Sequence, residues 1–198
     1  MEIKLNVIIG STRPGRWGPI VAKWVEREAR THGKFQVELV DIAQFNLPIF
    51  DEPAHPRLQQ YQHSHTKRWA ASVASGDAFL FVAPEYNNFI NAALVNALQY
   101  LSVEWNYKVA GIVSYGGVSG GLRASQELRQ LLGNLNVMAI PQCVPVPFFT
   151  KLINEDNVFR PTEQIADGLK LILNELEKWA LALQRLRNSS NAHIESLR

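Results

Sequence analysis

The chain has 198 residues, 46% of them hydrophobic and 19% charged, with a formal net charge of +2. That length fits one domain, the balance excludes a disordered chain, and the low charge without a dense basic run argues against a nucleic-acid partner. No apolar run approaches the roughly 20 residues that a membrane helix needs, Met1-Glu2-Ile3-Lys4 lacks the basic-then-apolar order of a secretory signal, and the single Cys143 precludes an internal disulfide and fits a reducing cytoplasm.

Taken in chain order, the pattern alternates between strand and helix. A strand-like run, Lys4–Ile9, leads through Gly10–Gly18 into a helical pattern marked by Ile20, Val21, Trp24, Val25 and Ala29. A second strand covers Phe35–Ile42. The proline-bearing stretch Ala43–Pro56 reads as a surface loop, and a weaker helix runs from Leu58 to Ala74. The third strand is Ala78–Ala83, followed by a helix through Ile90, Leu94, Ala97, Leu98 and Leu101. The fourth is Val109–Tyr115, followed by a helix through Ala124, Leu128, Leu131, Leu132 and Leu135. A fifth strand, Val137–Ile140, gives way to a loop over Gln142–Phe149, which holds Pro145 and Pro147. The last helix carries Ile165, Leu169, Ile172, Leu176, Trp179, Leu183 and Leu186. Continuous apolar strands suit burial on both faces, so the pattern predicts an α/β domain over 1–187: three layers, doubly wound, with a five-stranded parallel sheet. Residues 188–198 read as a polar tail.

The first loop, Gly10-Ser11-Thr12-Arg13-Pro14-Gly15-Arg16-Trp17-Gly18, lies at a strand-to-helix junction. Glycines admit close backbone approach, a helix N-terminus presents N–H groups, and arginine adds a charged fork, all of which suit a phosphate. Gly10 and Gly15 have the spacing of a Walker loop, but Arg16-Trp17 stand where its Lys and Ser/Thr belong, which argues against triphosphate hydrolysis. The same glycines are too far apart for GxGxxG, although Asp41 ends the second strand where a ribose-binding acid would sit. By itself the loop leaves open a plain reading, with Ser11 or Thr12 capping a helix and Pro14-Gly15 making a turn.

Two further strand ends change the balance. In a sheet of order 2-1-3-4-5, strands one, three and four are neighbours, and ligands lie beyond their carboxyl ends. The third strand ends in Pro84-Glu85-Tyr86-Asn87-Asn88 and the fourth in Ser114-Tyr115-Gly116-Gly117-Val118-Ser119-Gly120-Gly121. GSTRPGRWG, PEYN and SYGGxSGGLRA, in this order and at these strand ends, resemble the NADPH-dependent FMN reductase family over roughly residues 3–141. The resemblance implies a flavodoxin-like fold, non-covalent FMN, NADPH or NADH as electron donor, and a quinone, azo compound or free flavin as acceptor. It also implies a homodimer or homotetramer. Ser11, Arg13, Arg16, Trp17 and Gly18 would then surround the FMN phosphate. Pro84, Glu85, Tyr86 and Asn87 would border the ring system, and Tyr115, Gly116 and Gly117 would lie along its pyrimidine edge. The family's small-residue stretch and Pro-Gly after PEYN are replaced here by Asn88-Phe89-Ile90-Asn91-Ala92-Ala93, which bears on the shape of the substrate side.

Other conspicuous residues take plainer readings. No side chain is assigned as acid, base or nucleophile, because flavin chemistry needs none to move a hydride, and Glu85 is read as structural. His55, His63 and His65 crowd one region, but His63 and His65 at a spacing of two would face apart on a helix, so no metal site is expected. Trp69 and Trp105 read as core, and Cys143 as inert with nothing basic adjoining it. The alternative function is a flavodoxin-type electron carrier that docks on protein partners. Such carriers tend to be acidic, whereas the pI here is about 8.7.

Overall fold

Five parallel strands form the centre of the molecule. The computed structural model describes residues 2–195. The strands are β1 (Ile3–Ile9), β2 (Phe35–Asp41), β3 (Ala78–Tyr86), β5 (Val109–Gly116) and β6 (Met138–Pro147), in spatial order β2-β1-β3-β5-β6. A two-residue strand, β4 (Phe89–Ile90), pairs antiparallel with β3. Counted alone, the parallel strands follow the expected order 2-1-3-4-5. The added β4 was not anticipated.

Alternating residues of each strand feed two separate cores. Leu5, Val7 and Ile9 of β1 and Ala78, Leu80 and Val82 of β3 face α1 (Gly18–His32) and α5 (Glu163–Glu195). Ile8, Phe79, Phe81 and Ala83 face α2 (Ser64–Ser75), α3 (Ala92–Gln99) and α4 (Leu122–Asn134). Phe79 and Phe81 are wholly buried, and burying a side chain of that size stabilises by about 1.5–3 kcal/mol. Trp69 and Trp105 are core residues too. Their indole N–H groups donate to Ala97 O at 2.7 Å and Leu98 O at 3.2 Å, which removes the penalty of burying them.

Several boundaries differ from the sequence reading. The second helix begins at Ser64 rather than Leu58, because Pro56–Leu58 forms a separate 3-10 turn. The third begins at Ala92, since Ile90 belongs to β4. The fifth strand continues through Pro147, although its prolines read as loop: β6 is an edge strand, where a missing N–H can face outward. The backbone of α5 runs to Glu195, into the stretch read as a tail, and 196–198 lie outside the described residues.

His63 and His65 also depart from expectation. His63 is not in the helix but at its N-cap, with extended backbone (φ −82°, ψ 142°). That turns the two rings into a parallel stack 5.2 Å apart, and His65 Nε2 lies 3.0 Å from Asp51 Oδ1. Among the described residues no cluster of three His, Cys, Asp or Glu could hold a metal ion, and no helix is long and apolar enough to cross a membrane.

Candidate active site

Four strands end in one cleft of about 330 Å³ at the carboxyl edge of the sheet. Eight of the twelve residues expected at the site line it: Arg13, Trp17, Pro84, Glu85, Tyr86, Tyr115, Gly116 and Gly117. A larger hollow of about 530 Å³ between β6 and α5, lined by Cys143, Val144, Leu152 and Ile165 among others, includes none of the twelve.

The loop after β1 is fixed from beneath. Gly10 N donates to Val82 O (3.0 Å), and Asn91 Nδ2 donates to Gly10 O (2.6 Å). Arg16 N closes a turn onto Arg13 O at 3.1 Å. Ser11 is fully buried, and its Oγ lies 3.4 Å from the Tyr115 hydroxyl. Gly18 is required there by close approach: a Cβ on it would come within 2.5 Å of Ser11 Oγ and 2.9 Å of the Tyr115 hydroxyl. Burial pushes the Tyr115 phenol up to about 12, so it is neutral at physiological pH.

Charge around this loop is arranged for an anion. Trp17 occupies the N-cap of α1 without a side-chain cap, and the first turn has no acidic residue, so the positive dipole end is not neutralised by a carboxylate from within. Pro19 has no N–H and Ile20 N donates to Trp17 O at 3.0 Å, which leaves the Gly18 N–H to face an anion. Arg13 is exposed and lies 5.4 Å over the Tyr86 ring. Arg16 turns aside to an ion pair with Asp41, and its Nε is buried with no hydrogen-bond partner among the described residues. Asp41 is itself taken up, since Oδ1 accepts from Ala43 N at 3.0 Å, which leaves it no role on a ribose.

The β3 end forms a hairpin. Asn87 and Asn88 have φ of 52° and 63°, the left-handed pair of a two-residue turn, and Tyr86 pairs with Phe89 across it. This explains how the chain dispenses with the family's Pro-Gly. Asparagine tolerates left-handed backbone, and Asn91 then caps α3 by accepting from Leu94 N at 3.0 Å. Asn87 lies at the exposed turn rather than on the cleft wall. The hairpin is pinned to α4: Glu127 accepts from Ile90 N at 2.9 Å, and Arg123 donates to Asn88 at 2.9 Å.

Glu85 is a cap for a distant helix. It accepts from Ser119 Oγ (2.6 Å), Arg123 N (3.0 Å) and Ala124 N (3.4 Å), the last two in the first turn of α4. Burial would raise its carboxyl, but these bonds and the Arg123 charge outweigh it and hold the group below the usual carboxylate range. A carboxylate so occupied is a poor proton donor, consistent with its structural reading.

The β5 end is open over Gly117, where a Cβ would meet nothing within 4 Å. A flat ring can therefore approach this backbone closely. The loop closes through Gly121, at φ +86°, where a Cβ would fall 2.8 Å from Tyr115 N, so no other residue fits. Phe148, Phe149 and Thr150 complete the cleft from the end of β6. The sequence reading missed them because it stopped the fifth strand at Ile140. The aromatic pair following Pro147 was the available signal. Phe149 meets the Tyr115 ring edge-on at 5.0 Å.

The family model for NADPH-dependent FMN reductases matches residues 3–151. The chain belongs to this family. An NAD(P)H-dependent FMN reductase of Nectria sp. is 40% identical over 152 residues, covering 73% of this chain and 75% of its own. An NAD(P)H-dependent FMN reductase of Saccharomyces cerevisiae is 32% identical over 187 residues, covering 88% and 97%. Among solved structures, the flavoenzyme NAD(P)H:(acceptor) oxidoreductase FerB of Paracoccus denitrificans superposes with a TM-score of 0.71 at 19% identity, covering 91% and 98%, a likeness of fold. The protein is thus a flavodoxin-like, FMN-dependent oxidoreductase with NAD(P)H as electron donor.

Proposed function

We propose that this protein passes electrons from NADPH or NADH to a small flat acceptor, a quinone, azo compound or free flavin, in the cleft at the ends of β1, β3, β5 and β6. The observation that carries the reading is the convergence of eight expected residues on that one cleft. The residues fit FMN: the first turn of α1 is uncapped and free of acid, Arg16 Nε has no partner among the described residues, and the space over Gly117 is open. FMN, when bound, supplies hydride acceptance and onward electron transfer. The chain's part is to hold and tune.

Arg13 and the positive end of α1, with the Gly18 N–H, would bind the phosphate, with Ser11 beneath them. Tyr86 and the peptide groups of Tyr115–Gly117 would border the ring, and backbone N–H groups there favour negative charge on it. Trp17 and Phe149 would exclude water from one side. We read residues 1–187 as one domain, with the backbone of α5 continuing beyond it to Glu195. We place the enzyme in the cytoplasm, on its single cysteine, and infer a homodimer or homotetramer, to be read as mass in solution.

Anaerobic addition of NADPH to the yellow holoprotein tests the activity. Rapid loss of flavin absorbance followed by recovery on adding a quinone is the expected result. Bleaching too slow to support turnover would instead favour a one-electron carrier. Heat release of the bound flavin should yield FMN, and recovery of FAD alone would overturn the cofactor assignment.

A further inference from the structure

Phe148 is held in a backbone conformation that a bulky aromatic residue disfavours. It sits at φ 46°, ψ 40°, between β6 and the 3-10 turn Phe149–Leu152. Left-handed backbone crowds the Cβ, and most other non-glycine residues there in this chain are asparagines. Packing does not account for a phenyl ring at this point, because Phe148 is 49% exposed. Its neighbour Phe149 does the packing, against Tyr115 and against Trp17 at 6.4 Å.

The strain is held by backbone bonds that lead back into the cleft. Phe148 N donates to Gly117 O at 3.1 Å, and Phe148 O accepts from Lys151 N at 2.9 Å. The same Gly117 carbonyl accepts from Gly120 N at 3.1 Å. Phe148 is therefore fixed in register with the glycine strand end over which a flat ring has room. Lys151 Nζ lies 5.2 Å from the Phe148 ring centroid, so one face of the ring is engaged by a cation and the ring keeps a second face for a ligand. Phe148 lines the cleft together with Tyr86, Gly116 and Gly117.

We propose that Phe148 is a specificity-determining residue: its ring is the platform on which a planar acceptor stacks, and it selects flat ring systems over acceptors with no face to stack. This inference rests on the reading of the cleft as the flavin and acceptor site. It explains why an exposed phenylalanine stands where asparagine or glycine would be relaxed.

The test uses holoprotein and two acceptors, a naphthoquinone, which is flat, and ferricyanide, which is octahedral. For Phe148→Ala the ratio of kcat/KM for naphthoquinone over ferricyanide should fall about tenfold, chiefly through the naphthoquinone KM. Phe148→Tyr should keep the ratio, and Phe148→Leu, apolar but not flat, should not. By calorimetry, the Kd of redox-inert 1-naphthol should rise by a similar factor in Phe148→Ala. Phe148→Gly relieves the backbone and should melt no lower than wild type, which separates loss of the platform from loss of the fold. An unchanged ratio in Phe148→Ala that still holds FMN would overturn the proposal and leave a strained turn only. Loss of FMN from that variant would also overturn it, by making Phe148 part of the cofactor cradle. Wild type that takes up no FMN would overturn the underlying reading of the cleft instead.

Discussion

Two helices start at the same edge of the sheet and meet opposite electrostatic fates. The N-terminus of α4 is closed from within, since Glu85, at the end of β3, accepts from Arg123 N and Ala124 N. The N-terminus of α1 has no acidic residue in its first turn and no side-chain cap, and Arg13 and Arg16 precede it. Both ends carry the same partial positive charge. A fold that closes one with a carboxylate and leaves the other without one, beside an Arg13 unpaired among the described residues, suits the second to an anion that arrives from outside. The comparison also shows why Glu85, though beside the cleft, is a structural group.

The sharpest way to break that contrast is Arg13→Ala. FMN affinity should fall ten- to a hundredfold, on the order of 1.5–3 kcal/mol for a charge-assisted contact, with riboflavin affinity little changed. Titration of both flavins into apoprotein decides it, and equal losses would mean the loop was damaged generally.

Glu85→Ala attacks the other helix. Loss of its bonds to α4 should cost about 2 kcal/mol of stability, read from the denaturant midpoint. The carboxyl titrates lower in the folded chain than the ordinary value of 4.5. Its stabilisation is therefore complete above that value and lost as pH falls through the folded one, a decline that the variant should lack. A variant as stable as wild type would show the cap to be idle.

Gly117→Val separates ring from phosphate. A side chain in the open space over Gly117 should weaken FMN and riboflavin alike, about tenfold, without lowering the melting temperature. If FMN is held as tightly as before, this strand end does not border the ring. The smallest effect belongs to Asp41→Asn. Removing the charge paired with Arg16 should tighten FMN two- to fivefold, on the order of a partly exposed ion pair, and leave riboflavin alone. Weaker FMN binding would mean that Asp41 positions Arg16 rather than competing for it.

The sheet order and the first three cleft walls could be read before any coordinates, because buried parallel strands are continuous apolar runs and glycine-rich loops mark their ends. What could not be read depends on neighbours distant in sequence. Pro145 and Pro147 look like loop until β6 is known to be an edge. His63 and His65 look divergent until His63 is known to stand before the helix. The pairing of Arg16 with Asp41 spans two strands and leaves no mark in local pattern. Asn87-Asn88 carries a local hairpin signal, since both residues tolerate left-handed backbone, but their pairing is fixed only by Tyr86 and Phe89 on either side.

The prolines of β6 have one more consequence. Pro145 and Pro147 are two residues apart and pair in register with Ser114 and Gly116 of β5. Being of one parity, both lack a donor on the same side, the outer one, since Val146 between them donates inward to Gly120 O. A second chain laid along this border would find donors missing at successive positions. The sheet is therefore hard to extend along this border, which guards against runaway edge-to-edge association and leaves β2 as the edge with its donors intact.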